Sequence, residues 1–287
     1  MKTKLIQLTM ILLASALFGL TACQKDSESM EAGKGKLVVK LTDAPFPVDL
    51  VDQALVTIDK IEIRLAADSL LEGEEMESSS FIVLSEETMQ FNLLELRNGI
   101  TAEMLAMHID TGSYDMIRMH VVESEIILKD GTSYTMKVPG GSSSGLRIKI
   151  TPAISIEGGK TSEALLDFDV SKSFVVLGNV KAKNGIKGFT FKPVIRAVWQ
   201  EVSASIEGKI VDAEGAPLKE AYVQVIQADT VFTSALTNEA GEYAVIGIPV
   251  GAYQMVCEKE GFVSEVVDVV EVEKGIKTVV NFEMLAE

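Results

Sequence analysis

Gly208-Lys209-Ile210-Val211-Asp212 reads as a strand, and Ala213-Glu214-Gly215-Ala216-Pro217-Leu218 as the turn it enters. Ala221-Tyr222-Val223-Gln224-Val225 follows as a second alternating run. Thr237-Asn238-Glu239-Ala240-Gly241-Glu242-Tyr243, Ile248-Pro249-Val250-Gly251-Ala252-Tyr253 and Gly261-Phe262 then repeat the theme. Apolar residues recur at every second position, and glycines stand at the tight connections, where a positive φ or a close backbone approach is common. Period two broken by turns is the signature of short paired strands. Residues 203–287 are therefore expected to form a small β-sandwich.

Working back along the chain, residues 36–202 show the same period. Leu37, Val39 and Leu41 alternate with Val38 and Lys40, and Ile117, Met119 and Val121 alternate with Arg118, His120 and Val122. Phe189, Phe191 and Val194 mark a further run. In residues 54–65 the apolar set jumps from Val56 and Ile58 to Ile61, Ile63 and Leu65, which calls for a bulge or corner. The pattern predicts an antiparallel sandwich with one helical stretch, residues 101–107 (TAEMLAM), capped by Thr101 and turning Met104 and Leu105 inward. Residues 71–80 (LEGEEMESSS) read as a solvated loop. The fold class expected is all-β, two β-sandwich domains in tandem.

Composition narrows the function classes. With 287 residues, 47% of them hydrophobic and 24% charged, the chain can fill two cores, which excludes wholesale disorder. Its net charge of −16 argues against a nucleic-acid partner, since phosphate needs a basic surface. Two cysteines exclude a disulfide scaffold or a thiolate-built zinc site, and two histidines leave little for a His-rich metal centre. No cofactor is expected. Residues 203–287 hold 5 basic and 15 acidic residues, so the second half is the sharply acidic one.

Two family resemblances follow from these motifs. Residues 36–202 resemble the domain of unknown function 4382. The motifs are Leu41-Thr42-Asp43-Ala44-Pro45, Phe91-Asn92-Leu93-Leu94, Gly112-Ser113-Tyr114 with Ile117-Arg118, and the loop 140–146, followed by Leu166-Asp167-Phe168-Asp169 and Phe191-Lys192-Pro193. Residues 203–287, through the glycine-turn motifs above, resemble the carboxypeptidase regulatory-like domain, a transthyretin-type sandwich grouped with carbohydrate-binding-like folds. The resemblance carries over no catalytic residue.

Residues 1–22 read as a signal peptide. Lys2 and Lys4 form a basic start, and the 16 residues from Leu5 to Leu20 are mainly apolar, short of the roughly 20 a membrane span needs. Leu20-Thr21-Ala22-Cys23 resembles the bacterial lipobox, which makes Cys23 the acylated residue and outer-membrane lipid its partner. Residues 23–35 form the lipidated end and a polar tether. Gln24-Lys25-Asp26-Ser27-Glu28 resembles the surface-export tag of Bacteroidetes lipoproteins, which places the protein on the outer membrane facing the cell exterior.

No set of residues commits to catalysis. Gly141-Ser142-Ser143-Ser144-Gly145 matches G-x-S-x-G, but a strand-like run (LRIKI) follows it and both His108 and His120 precede it. It reads as a flexible loop. His108 and His120 stand too far apart for a helical metal pair; His120 is expected to face solvent beside Arg118, and His108 to close the helical stretch. Asp43, Asp49, Asp52 and Asp59, with Asp167 and Asp169, read as solvated carboxylates rather than a calcium site. Trp199 reads as a domain-junction core residue, and Cys257 as a buried free thiol. Tyr134 and Tyr222 are candidate sugar platforms, whereas Tyr243 and Tyr253 fall at core-facing motif positions. Asp68-Ser69-Leu70 and Asp229-Thr230-Val231 resemble Bacteroidetes O-glycosylation sites, making Ser69 and Thr230 candidates. The expected function is a non-catalytic binding or adhesion module, for a glycan among other ligands, or an accessory subunit docked to an envelope protein. Neither ligand nor ligand-binding residues can be read from the sequence.

Overall fold

Alternation of buried and exposed side chains, as the sequence requires, builds almost the whole molecule from strands. The computed structural model describes residues 33–44, 50–66, 81–138, 144–178 and 185–287. In the first part run β1 (Lys34–Ala44), β2 (Val51–Leu65), β3 (Phe81–Ser85), β4 (Met89–Asn92), β5 (Ala102–Asp110) and β6 (Gly112–Leu128). They are followed by β7 (Ser133–Met136), β8 (Leu146–Ile156), β9 (Thr161–Asp169), β10 (Phe174–Gly178), β11 (Ile186–Phe191) and β12 (Ile195–Trp199). The sheet order is β3-β2-β6-β8-β12-β9-β1-β5, with β4 also on β2 and β7 on β6. The link between its halves is thin: β8 and β12 meet at one ladder pair, Ala197–Ile150. Leu37, Leu41 and Leu166 from one half and Val56, Ile58, Ile117 and Met119 from the other fill a single core.

The phase jump in β2 is a bulge. The β2–β6 ladder slips at Ile58, so Val56 and Ile58 on one side and Ile61 and Ile63 on the other all reach the core, each fully buried. Two expectations need correction. Residues 101–107 are not helical: Ala102–Asp110 is strand β5, antiparallel to β1, and Met104 is buried in it. The helix preference of Ala, Glu and Met amounts to tenths of a kcal/mol per residue, whereas the edge of β1 offers a ladder from Lys34 to Leu41, slipping once after Val39. Nor is the sheet wholly antiparallel, because β1 and β9 run parallel from Lys36–Thr161 to Ala44–Asp169.

The second core lies between two four-stranded sheets. β13 (Ser203–Asp212), β14 (Tyr222–Gln227), β15 (Thr230–Leu236) and β16 (Glu242–Pro249) are followed by β17 (Gly251–Glu258), β18 (Glu265–Val272), β19 (Lys277–Val279) and β20 (Phe282–Met284). One sheet is β16-β13-β19 with β20 also on β13, and the other is β15-β14-β17-β18. Ile206 and Ile210 face Val223, Val225, Met255 and Cys257 across the core. Burial pushes the Cys257 thiol up to about 12, and its Sγ lies 3.4 Å from Met284 Sδ. Tyr243 and Tyr253 are buried, and their hydroxyls donate to Val280 O (2.7 Å) and Pro249 O (2.8 Å), so neither ring carries an unsatisfied polar end. Gly208 is required by close approach: a Cβ there would stand 1.7 Å from Val280 O. Gly241, at φ +73°, turns β16 back against Ile210.

Candidate functional site at the junction of the two cores

Gly33–Glu287 forms one unit holding both cores. A Cβ at Gly99 would stand 3.4 Å from the side chains of Ala244 and Ile246, and one at Gly247 would meet Leu165, so both glycines lie close against the opposite core. The Arg196 guanidinium stacks on Phe232 at 3.8 Å, and Lys172 Nζ donates to Val231 O at 3.2 Å. β15 is buried at Thr233, Ser234 and Ala235 in succession, with both its faces covered where β1 lies against it.

A cleft of about 910 Å³ is lined from both cores. Its first wall starts at Val51, Asp52 and Gln53 of β2 and continues through Asn92, Glu95 and Arg97, with Lys129 beyond β6. Asn92 fixes this wall: its Oδ1 accepts from Ala54 N (3.2 Å) and Leu94 N (3.3 Å), and its Nδ2 donates to Glu95 Oε1 (2.9 Å). Arg97 Nε donates to Leu94 O at 2.7 Å, holding the side chain along the same turn. The second wall carries the half-buried rings of Tyr222 and Phe262, with Glu220, Glu258, Lys259, Glu260 and Glu287 around them. Thr237 sets its edge, accepting from Ala221 N (2.8 Å) and donating to Leu218 O (2.5 Å). Two half-buried rings, the Phe262 ring packed on the second core, with carboxylates, amides and three cations line a surface suited to a polar, hydroxyl-rich ligand.

A second polar centre lies deeper. The parallel β1–β9 register sets Thr42 opposite Asp167 and Ala44 opposite Asp169, gathering Asp43, Asp167 and Asp169 at one sheet end. All three are buried rather than solvated, which corrects the expectation. Asp167 is bound by Arg196 Nη2. Asp169 accepts from Ser171 Oγ (2.6 Å) and Lys172 N (3.0 Å), capping the helical turn Val170–Ser173, and pairs with Lys172 Nζ at 2.8 Å. Asp43 Oδ1 accepts from Val170 N (3.2 Å), while its Oδ2 has no partner among the described residues. Burial, then the charge of Asp167, pushes the Asp43 carboxyl well above the usual carboxylate range. Asp52 is elsewhere, on the cleft wall, Asp59 is on β2, and Asp49 lies outside the described residues. Among the described residues, no group of three or more His, Cys, Asp or Glu is placed to hold a metal ion.

His120 does share a face with Arg118, but its side chain is only 12% exposed, not solvent-facing. Glu62 of β2 accepts from both Arg118 Nε and His120 Nε2, the latter at 3.1 Å. His108 is on β5 opposite Lys36, closing no helix. Ser143 lies outside the described residues; Gly145 packs on Arg118 and His120, and β8 follows where a nucleophile elbow needs a helix. Thr230 is exposed behind a tight turn in which Ala228 and Asp229 have φ of 48° and 59°. Cys23 and Ser69 lie outside the described residues. Trp199 packs on the first core at its final strand. Tyr134 sits edge-on to Phe189, 5.4 Å between centroids, and is a packing residue. Tyr222 was legible as a candidate ring; Asp52, expected as a solvated carboxylate, lies on the cleft wall, and neither Phe262, Arg97 and Lys259 as cleft residues nor the Arg196–Phe232 stack was legible. The only signal for Phe262 was its place in the Gly261-Phe262 turn.

Comparison with known proteins agrees with this architecture. The family described as domain of unknown function (DUF4382) matches residues 34–193, and the carboxypeptidase regulatory-like domain matches residues 205–285. No curated protein matches the chain. Among solved structures, 3-chlorocatechol 1,2-dioxygenase from Rhodococcus opacus 1CP is similar at 17% identity and TM-score 0.25, over 30% of this chain and 60% of that one. A type II cohesin–X-dockerin complex from Acetivibrio cellulolyticus is similar at 19% identity and TM-score 0.24, over 29% of this chain and 58% of that one. The Bacillus anthracis TIE protein is similar at 12% identity and TM-score 0.27, over 88% of this chain and 34% of that one. The chain thus spans less than two thirds of each of these proteins, and likenesses this slight carry no argument about activity. No helix among the described residues is long and apolar enough to cross a membrane.

Proposed function

The chain belongs to the domain of unknown function 4382 family, and from that premise we propose that it is a non-catalytic, lipid-anchored binding module of the outer membrane that captures a glycan in the cleft between its cores. The observation that carries this reading is the cleft itself. At about 910 Å³ it has room for a ligand of several sugar rings, and Tyr222 and Phe262 line it among hydrogen-bonding side chains. Sugar rings stack their C–H faces on aromatic planes while carboxylates and amides accept from their hydroxyls. Anchoring through Cys23, and display to the exterior, are supported by the lipobox and by the charges of residues 24–28. The non-catalytic reading is supported by the engagement of His120 with Glu62 and by the strand that follows Gly145.

A glycan array on the purified protein, followed by calorimetry on the hits, tests the reading. Tyr222→Ala and Phe262→Ala are each expected to weaken binding by about tenfold, the value of one lost stacking ring. An array without hits, or hits that both variants bind as well as the parent, would overturn it.

A further inference from the structure

The second sheet of the C-terminal core ends on an open strand. β18 (Glu265–Val272) pairs with β17 on one side and is the last strand in the order β15-β14-β17-β18. Its C-terminal half is partly screened, since Thr278 Oγ1 of β19 reaches Glu271 O at 3.4 Å. From Glu265 to Val270 the backbone groups turned away from β17 have no ladder partner among the described residues. An unpaired row of N–H and C=O groups is a template for another strand.

Natural edges are blunted by Pro, by charged side chains and above all Lys, by bulges, or by extreme shortness. β18 has eight residues and contains neither Pro nor Lys; its ladder to β17 slips between Val267 and Val270, so Asp268 and Val269 stand at an irregularity that interrupts the strand without closing it. It instead exposes large apolar side chains: Val266 at 50% and Val269 at 64%. Beyond its N-terminal end the C-terminal segment already pairs with residues 261–263, through Val263 N to Leu285 O at 2.8 Å and the Phe262–Ala286 bridge, so the open stretch is that of residues 265–270. Interleaved with the valines of β18 are Glu265, Asp268 and Glu271. None of these carboxylates has a Lys, Arg or His within ion-pair distance among the described residues, and Asp268 is met only by the Gln254 amide at 3.1 Å.

We propose that the edge of β18 is a docking strand for an extended segment of another protein, one that alternates apolar residues with Lys or Arg. Main-chain ladder bonds would supply affinity, and the valines and carboxylates would read alternate side chains of the incoming strand. Charge decides the occupant. A second copy would bring its own acidic strand, and a domain with ten surplus negative charges, against the same edge. Basic side chains placed between the valines meet carboxylates that lack cations. This surface is separate from the glycan cleft, and its test does not depend on that reading.

The probe is a synthetic eight-residue peptide alternating Val or Thr with Lys, compared with its Glu-for-Lys counterpart, added to the full chain. Amide hydrogen exchange is the readout. The Lys peptide is expected to slow exchange of the outward-facing amides among residues 265–270 at least tenfold at saturation, with the effect weakening as salt rises. The doubly substituted Val266→Lys, Val269→Lys protein exchanges both exposed side chains without touching the core, so its melt is expected to be unchanged and its protection lost. Unslowed exchange, equal protection by the Glu peptide, or protection that survives in the double variant would overturn the proposal. So would a concentration-dependent dimer in sedimentation that the double variant abolishes, because a second copy would then be the occupant.

Discussion

Glu62→Gln is expected to destabilise the N-terminal core at neutral pH and to be nearly silent at pH 2. Glu62 is opposite Arg118 in the β2–β6 ladder, and its side chain is only 5% exposed. It accepts from Arg118 Nε and from His120 Nε2, with Lys60 Nζ at 3.7 Å, while the Arg118 guanidinium lies 3.9 Å over the Phe81 ring. The hydrogen bond from Arg118 is the main cause holding this carboxyl at about 2 instead of its ordinary 4.5, against the opposing effect of burial. A fall of that size corresponds to roughly 3 kcal/mol favouring the charged, folded form. Because the folded carboxyl takes up a proton less readily than the unfolded one, this stability is complete above pH about 4.5. It is lost as the pH falls toward 2. Gln keeps one acceptor oxygen, so the cost at pH 7 is expected to be about 2–3 kcal/mol. Trp199, the single tryptophan, packs on this core, and its fluorescence reports urea unfolding there. With an m-value of roughly 2 kcal/mol/M, the midpoint should drop by about 1–1.5 M at pH 7 and converge with the parent by pH 2. A gap between parent and variant that stays constant from pH 7 to pH 2, or no gap at pH 7, would refute the reasoning.

Three further outcomes are expected. Gly208→Ala places a Cβ 1.7 Å from Val280 O, a backbone atom that cannot rotate aside, so β13 must part from the segment between β19 and β20. The variant should lose at least about 3 kcal/mol in a thermal melt, and a near-parental melt would show that this approach is softer than drawn. Cys23→Ala should release the protein from membranes into the soluble fraction on cell fractionation; unchanged membrane association would remove the lipid anchor from the proposal. A fragment of residues 204–287 should give a cooperative all-β melt, because its buried side chains form a cluster of their own. The midpoint should rise between low and physiological ionic strength as salt screens the surplus negative charge of this region. A disordered fragment would mean that the second core needs the first.

The all-β class, the turns and the bulge in β2 were legible in the sequence, because period-two alternation and turn glycines are local properties of a few neighbouring residues. Val56, Ile58, Ile61 and Ile63 announced their phase change on paper, and the ladder slips where they do. The two half-buried rings of the cleft were not legible as a pair: Tyr222 and Phe262 are 40 positions apart, and the opposite wall comes from residues 51–129. Residues 101–107 show the limit most plainly. Their weak local preference for helix was overridden by the ladder that β1 offers from more than sixty positions away. The same holds for Asp43, whose carboxylate meets Val170 N across 127 positions once β1 and β9 lie parallel. Pattern and turn chemistry set most strands and the faces they turn inward, residues 101–107 and His120 being the exceptions. Which strands lie side by side, and therefore which carboxylates, rings and cations share a site, was decided by the burial of distant apolar faces against one another, a property of the folded chain and not of any short stretch of it.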